Sequence, residues 1–146
     1  MLSWLAGKLI THNMGRLREG DPSPTVRMYA EDIHFAFPGD SSFAPGTSNK
    51  RELTAWLERF AEIGLQIYPD EVVLKGFPWH QTVCVRGHIY LDDPSEGRVY
   101  DNRYVIWGQI AWGKMRAYEV YEDTHQTEAL DAYLERRGKG AAGAAS

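Results

Sequence analysis

Residues 97–128, GRVYDNRYVIWGQIAWGKMRAYEVYEDTHQTE, decide how this chain folds. They read as two long antiparallel strands joined at Trp112-Gly113-Lys114 and running straight into a capped helix. On the first strand Tyr100, Asn102, Tyr104, Ile106, Gly108 and Ile110 share one face, and Val99, Asp101, Arg103, Val105, Trp107 and Gln109 share the other. Such alternation belongs to a strand with one face in a core and one outside. The inner set contains an amide and two phenols. Polar groups on an otherwise apolar inner face must find hydrogen bonds, whether with one another, with water or with a ligand. A small-molecule cavity is the leading expectation from this stretch.

Working outward, the same rules place the remaining elements. A first helix is expected over 2–18, with Leu2, Leu5, Leu9 and Asn13 as its inner stripe, ended by Gly20-Asp21-Pro22-Ser23-Pro24. A short helix follows from Thr25, anchored by Val26, Met28 and Tyr29. Ile33, Phe35 and Phe37 alternate as a strand stopping at Pro38-Gly39, and 40–49 reads as a polar loop. Ser48 or Asn49 caps a helix over 50–64, in which Leu53, Trp56, Leu57, Phe60 and Ile63 recur at helical spacing. Strands at about 65–75, 81–92, 98–111 and 114–122 complete a bent antiparallel sheet, and Asp123 or Thr124 caps a last helix. Helices grouped early and strands in succession define an α+β domain, a cone-shaped curved sheet packed against its N-terminal helices. One domain is expected over 1–137, with 138–146 as a flexible tail.

Composition narrows the function classes. Hydrophobic residues at 43% with 25% charged describe an ordinary globular chain of 146 residues. Net charge is −4, and the basic residues are scattered rather than striped among aromatics, so no nucleic-acid partner is expected. No stretch approaches the ~20 apolar residues of a membrane span, and no membrane partner is expected. The N-terminal segment reads as an amphipathic helix of a cytoplasmic protein. Cys84 is alone, which forbids an internal disulfide, and its place in a β-branched strand suits an inert thiol. His12, His34, His80, His88 and His125 fall in no metal-ligand spacing, and no glycine-rich phosphate loop exists; neither metal nor cofactor is expected.

Three motifs carry a resemblance: Tyr29-Ala30-x-Asp32-x-x-Phe35-x-Phe37-Pro38-Gly39, Tyr100-x-Asn102-x-Tyr104, and Gly113-Lys114-Met115 leading to Tyr121-Glu122-Asp123-Thr124. With the element order, over residues 5–135, they resemble the nuclear transport factor 2-like superfamily and its cystatin-like roll. More closely the chain is similar to the SnoaL-like group of polyketide cyclases, ketosteroid isomerases, epoxide hydrolases and phenazine-biosynthesis proteins. The catalytic residues of that group carry over poorly. Phe37 stands where the isomerase general base is expected, and Asn13 falls near the isomerase's catalytic tyrosine. Val120, with Glu119 and Glu122 beside it, holds the place of the acid on the last strand. Arg86-Gly87-His88 stands nearest the arginine–aspartate pair of the epoxide hydrolases.

On the 81–92 strand, Cys84, Arg86, His88 and Tyr90 share one face, and Val83, Val85, Gly87, Ile89 and Leu91 the other; the site depends on which face looks inward. With the valines inward, Arg86 and His88 are surface or dimer-contact residues. With Arg86 and His88 inward, His88 is the natural acid/base and Arg86 an anchor for an anion. Asn102 and Tyr104 then serve as donors to a developing oxyanion, or else tie neighbouring strands together. Phe35, Phe37, Trp56, Phe60, Tyr118 and Val120 form the expected walls for a hydrophobic, ring-containing ligand such as a steroid, polyketide or terpenoid. The chemistry expected is proton transfer (isomerisation, cyclisation or dehydration), the alternative being a ligand carrier or interaction module without turnover. A homodimer is expected through the outer sheet face, where Val105 and Trp107 lie.

Overall fold

The computed structural model describes residues 2–138, so the tail expected over 138–146 lies, from residue 139 onward, outside the described residues. Helix α1 (Leu2–Arg18) and the short α2 (Ser23–Arg27) lead into β1 (Tyr29–Ala36) and the two-residue β2 (Gly46–Thr47). Helix α3 (Lys50–Ile63) precedes the long strands β3 (Gln66–Phe77), β4 (His80–Asp93), β5 (Gly97–Ala111) and β6 (Lys114–Glu122), and α4 (Thr124–Arg136) follows. The strands form one sheet in the order β2-β1-β6-β5-β4-β3. Its two edges do not meet, and the hollow is closed by helices instead.

Local chemistry explains the boundaries. Asn49 accepts a hydrogen bond from the Glu52 amide at 2.9 Å while the Glu52 carboxylate reaches back to the Ser48 amide at 3.0 Å, satisfying donors that the start of α3 leaves open. Gly64 ends the helix in the left-handed conformation at φ 89°, where a side chain would be strained. In the β4–β5 turn the Asp93 carboxylate accepts from the amides of Ser95 and Glu96 at 2.8 and 2.9 Å, and from the Tyr133 hydroxyl of α4 at 2.5 Å. These bonds to its charged form hold the Asp93 carboxyl far below the usual carboxylate range, the Tyr133 bond first among them.

Three expectations are corrected here. The sheet is mixed rather than wholly antiparallel, because β1 runs parallel to β6, with Phe35 opposite Tyr118. A parallel neighbour needs a long connection, and α3 with the hairpins supplies it. Within the expected loop 40–49, Gly46 and Thr47 add a short edge strand to β1. The inner stripe of α1 is also rotated. Leu5 and Leu9 are exposed, whereas Ile10, Asn13, Met14 and Leu17 face the hollow. The Leu2 side chain lies outside the described part. The reason is close approach at the start of α1. Ser3 Oγ both donates to the Leu74 carbonyl at 2.9 Å and accepts from the Leu74 amide, and Gly7 faces Val72. Small residues meet β3 there, and the leucines are turned away.

Candidate functional site

The hollow between sheet and helices keeps a cavity of about 140 Å³. Strands contribute Phe35, Val85, Ile89, Tyr104, Ile106, Ile110, Tyr118 and Val120 to its wall, because the inner faces of β1, β4, β5 and β6 all point into the concavity. Helix α3 contributes Trp56, Leu57 and Phe60. Phe35, Phe37, Trp56 and Phe60 pack as one aromatic group, with Phe35 and Trp56 edge to face at 4.7 Å and Trp56 stacked on Phe60 at 5.7 Å. All six side chains expected as ligand walls therefore line the same space: Phe35, Phe37, Trp56, Phe60, Tyr118 and Val120. The aromatics narrow it without filling it. An apolar cavity of about 150 Å³ is known to accept a benzene-sized guest, so the free space here suits one ring rather than a steroid nucleus.

The face of β4 is resolved against Arg86 and His88. Val83, Val85, Gly87, Ile89 and Leu91 are buried, and Gly87 stands opposite Tyr104 of β5. Residues opposite one another across a ladder share a face. Arg86 and His88 therefore lie on the outer face. There Arg86 pairs with Glu71 at 2.9 Å, and His88 Nδ1 sits 2.9 Å from an Asp70 oxygen while its ring stacks on Tyr68. The expectation that Arg86 anchors an anion and His88 moves a proton inside the cavity is corrected on this ground. Replacing His88 by alanine is expected to leave ligand affinity unchanged and to shift stability by no more than about 1 kcal/mol, the range of an exposed ion pair. Calorimetric titration and thermal melting check both.

Asn102 and Tyr104 point inward, but their donors are committed elsewhere. Asn102 Nδ2 donates to the Tyr100 hydroxyl at 3.1 Å and to the Asp123 carbonyl at 3.0 Å, while its oxygen accepts from the Arg103 amide at 2.9 Å. It ties β5 to the start of α4 and does not reach the cavity wall. Tyr104 does reach it, yet its one hydroxyl hydrogen is donated to the Tyr68 carbonyl at 2.9 Å. Burial pushes this phenol well above the ordinary tyrosine range. Neither residue is free to donate to an oxyanion, so that expected role is corrected too.

Other polar groups take their place. The hydroxyls of Tyr29 and Tyr118 meet at 3.0 Å, fully buried in the wall. One of them donates to the other, which leaves the second hydroxyl hydrogen of the pair without a partner among the described residues. Burial raises the Tyr29 phenol to about 12 and the Tyr118 phenol well above its ordinary value, so both stay protonated donors. Asn13 is buried, and its side-chain nitrogen has only the Met28 sulfur at 3.1 Å, a weak acceptor, among the described residues. Glu122, the last residue of β6, is the one carboxyl in the wall among the described residues. Its Oε1 accepts from the hydroxyls of Thr127 and Tyr100, the latter at 3.4 Å, and Oε2 has no hydrogen bond among the described residues. Burial raises the Glu122 carboxyl above its ordinary value. The bonds from Thr127 and Tyr100 oppose that shift, and the nearby Asp123 charge adds to it.

A hollow half-roll of sheet with a lined apolar cavity and a few buried donors defines a fold seen before. The structure aligns with PrhC from Penicillium brasilianum at a TM-score of 0.71 and 14% identity, over 92% of this chain and 90% of that one. It aligns with TerC, co-crystallised with polyporic acid, at a TM-score of 0.65 and 17% identity, over 88% and 94%. An NTF2-like protein from Burkholderia xenovorans aligns at a TM-score of 0.61 and 21% identity, over 82% and 90%. No family model and no curated protein matches the sequence. The chain has the nuclear transport factor 2-like fold.

Proposed function

We propose that the cavity binds one hydrophobic, ring-sized molecule bearing a carbonyl or hydroxyl group, and that Glu122 exchanges a proton with it. The observation that carries this reading is a carboxyl in the wall of an otherwise apolar cavity, fixed through one oxygen with the other unengaged among the described residues. Glu122 Oε2 would take a proton from carbon next to the ligand carbonyl and return it at another position, leaving atoms and electrons balanced without a further reactant. The spare hydrogen of the Tyr29–Tyr118 pair would stabilise the enolate oxygen formed between those steps, a contribution of roughly 3 kcal/mol for one preorganised donor. TerC, a protein of the same fold, was crystallised with polyporic acid, which supports the cavity as a place for a small organic molecule.

The carrier reading keeps one specific support: Asn102 and Tyr104 are both committed to the protein itself. A thermal-shift screen of monocyclic ketones and phenols, repeated on Val120→Phe, tests the site. Ligands should stabilise the native protein and lose that effect when the added ring fills the cavity. Stabilisation that persists in a folded Val120→Phe protein would place binding elsewhere. For assembly, we propose a homodimer across the outer sheet face, where Val73, Trp107 and Tyr121 are exposed. Sedimentation equilibrium of Trp107→Glu tests it, and an unchanged mass would rule it out.

A further inference from the structure

One end of the molecule gathers three turns and the start of α1. The Trp112 amide donates to the Pro78 carbonyl at 2.7 Å, joining the β5–β6 turn to the β3–β4 turn. The Met115 amide donates to the Met28 carbonyl and Lys114 Nζ to the Arg27 carbonyl, each at 2.7 Å, which joins the same turn to the end of α2. Helix α1 runs antiparallel to β3, with Ser3 on Leu74 and Arg18 on Ile67, so its first turn lies at this end as well.

The side chains that mark this pole are aromatic or basic. Phe77, Trp79 and Trp112 are 66%, 56% and 72% exposed, with Phe77 stacked on Trp79 at 5.0 Å and Trp112 next to them at 6.4 Å. Trp4 and Leu5 on α1 are exposed too, and Lys8 Nζ lies 4.2 Å over the Trp4 ring. The charged residues near the turns are Arg27, Lys75 and Lys114, with Arg116 behind them paired to Asp32, while Lys8 on α1 shares a surface groove with Asp70 and Glu71 of β3. Segments 3–18, 22–28, 74–82 and 109–118 contain no Asp or Glu, in a chain whose net charge is −4. Trp112 also holds a positive φ of 53°, which disfavours a bulky residue and suits asparagine or glycine. Folding does not call for an indole there.

We propose that this pole docks on an anionic phospholipid surface. Indole rings settle at headgroup depth, with an apolar body toward the acyl chains and an N–H toward water, and lysine or arginine beside them meets lipid phosphate. The charge supports a lipid rather than a second copy of this chain, since two such poles would repel. No described helix is long and apolar enough to cross a membrane, so the contact lies at the surface. Thr25, Met28, Ile110 and Met115, in or next to the same turns, line the cavity. A docked molecule would thus hold that end of its pocket toward the bilayer. The docking inference stands whether or not the pocket is filled.

Vesicle sedimentation tests the proposal, using phosphatidylcholine alone and an equal mixture of phosphatidylcholine and phosphatidylglycerol. Binding to the mixed vesicles should be strong at low salt, weak at high salt and accompanied by a blue shift in tryptophan emission. Lys75→Gln and Lys114→Gln should each weaken it roughly fivefold. The double variant Trp79→Ser, Trp112→Asn should weaken it roughly tenfold or more while keeping the native melting temperature. Equal binding to both vesicle types, or binding to neither, overturns the proposal. So does a self-association that the double variant abolishes, because the pole would then be covered by another copy of the chain.

Discussion

Replacing Gly87 by alanine is expected to remove a large part of this protein's stability. A Cβ at position 87 would stand 2.1 Å from the Tyr68 carbonyl oxygen and 2.4 Å from the Tyr104 hydroxyl oxygen. Glycine here makes room for the Tyr104 ring to lie across β4 and donate to the backbone of β3. The added methyl must push apart two backbones at the place where the β3–β4 register already shifts, between Pro69 and Glu71. Overpacking a core costs roughly 1–3 kcal/mol, and breaking the Tyr104 bond adds about 1 kcal/mol. Against a typical total of about 5–15 kcal/mol, that loss is severe. Urea unfolding should show the midpoint falling with an unchanged slope. Gly20→Ala is the control. Gly20 sits at φ 89°, and the methyl of an alanine there would meet nothing within 4 Å, so only backbone strain of about 1 kcal/mol is expected. Equal effects from the two changes would show that Gly87 is not closely packed.

Gly87 also shows where the sequence stops being legible. The β5–β6 hairpin can be read directly because its two faces differ so much: Tyr100, Asn102, Tyr104, Gly108 and Ile110 are all buried, and Trp107 is exposed. Helix α3 is readable for a similar reason, with Asn49 and Gly64 as explicit start and stop signals. On β4 both faces are plausible inner faces. The choice depends on the register with β5, and a slip of one residue exchanges the faces. The three-residue connection 94–96, with an irregularity between Leu91 and Asp92, hides that register from any local pattern. Once Gly87 is set opposite Tyr104, Arg86 and His88 must lie outside.

Other site features depend on contacts distant in sequence. The parallel pairing of β1 with β6 joins segments about eighty residues apart, and no local signal encodes it. The Tyr29–Tyr118 pair arises from that pairing. Asn13 belongs to the expected stripe of α1, but the leucines before it point to the wrong helix face, since Ser3 and Gly7 are the residues that meet β3. Glu122 follows Tyr118 and Val120 in the β6 alternation that the family register turns inward, and all three line the cavity; alternation does not show how deeply a residue at the strand's end is buried. Its burial comes from α4, through Thr127, rather than from the strand.

Glu122→Gln is expected to lower any proton exchange on a bound ligand roughly a hundredfold or more, the scale of losing a general base. Deuterium uptake from D₂O at the carbon beside the ligand carbonyl, followed by NMR, reads this without knowledge of the product. The same variant should change stability in a direction fixed by the raised Glu122 pKa. Burial favours the protonated carboxyl in the folded protein, so this stabilising contribution is complete below the ordinary glutamate value and is lost as pH rises through the folded value. Glutamine mimics the protonated acid and still accepts hydrogen bonds from Thr127 and Tyr100. The melting temperatures of variant and native protein should therefore coincide at acid pH, and the variant should become the more stable as pH rises to neutrality. Taking the difference cancels the other titrating groups that both proteins share. A variant less stable at neutral pH would mean that the carboxylate is held charged by its partners, and the proton-exchange role would fall with that result. Deuterium uptake equal in both proteins, with binding intact, would instead leave the cavity as a carrier's pocket, in which Glu122 only orients the guest.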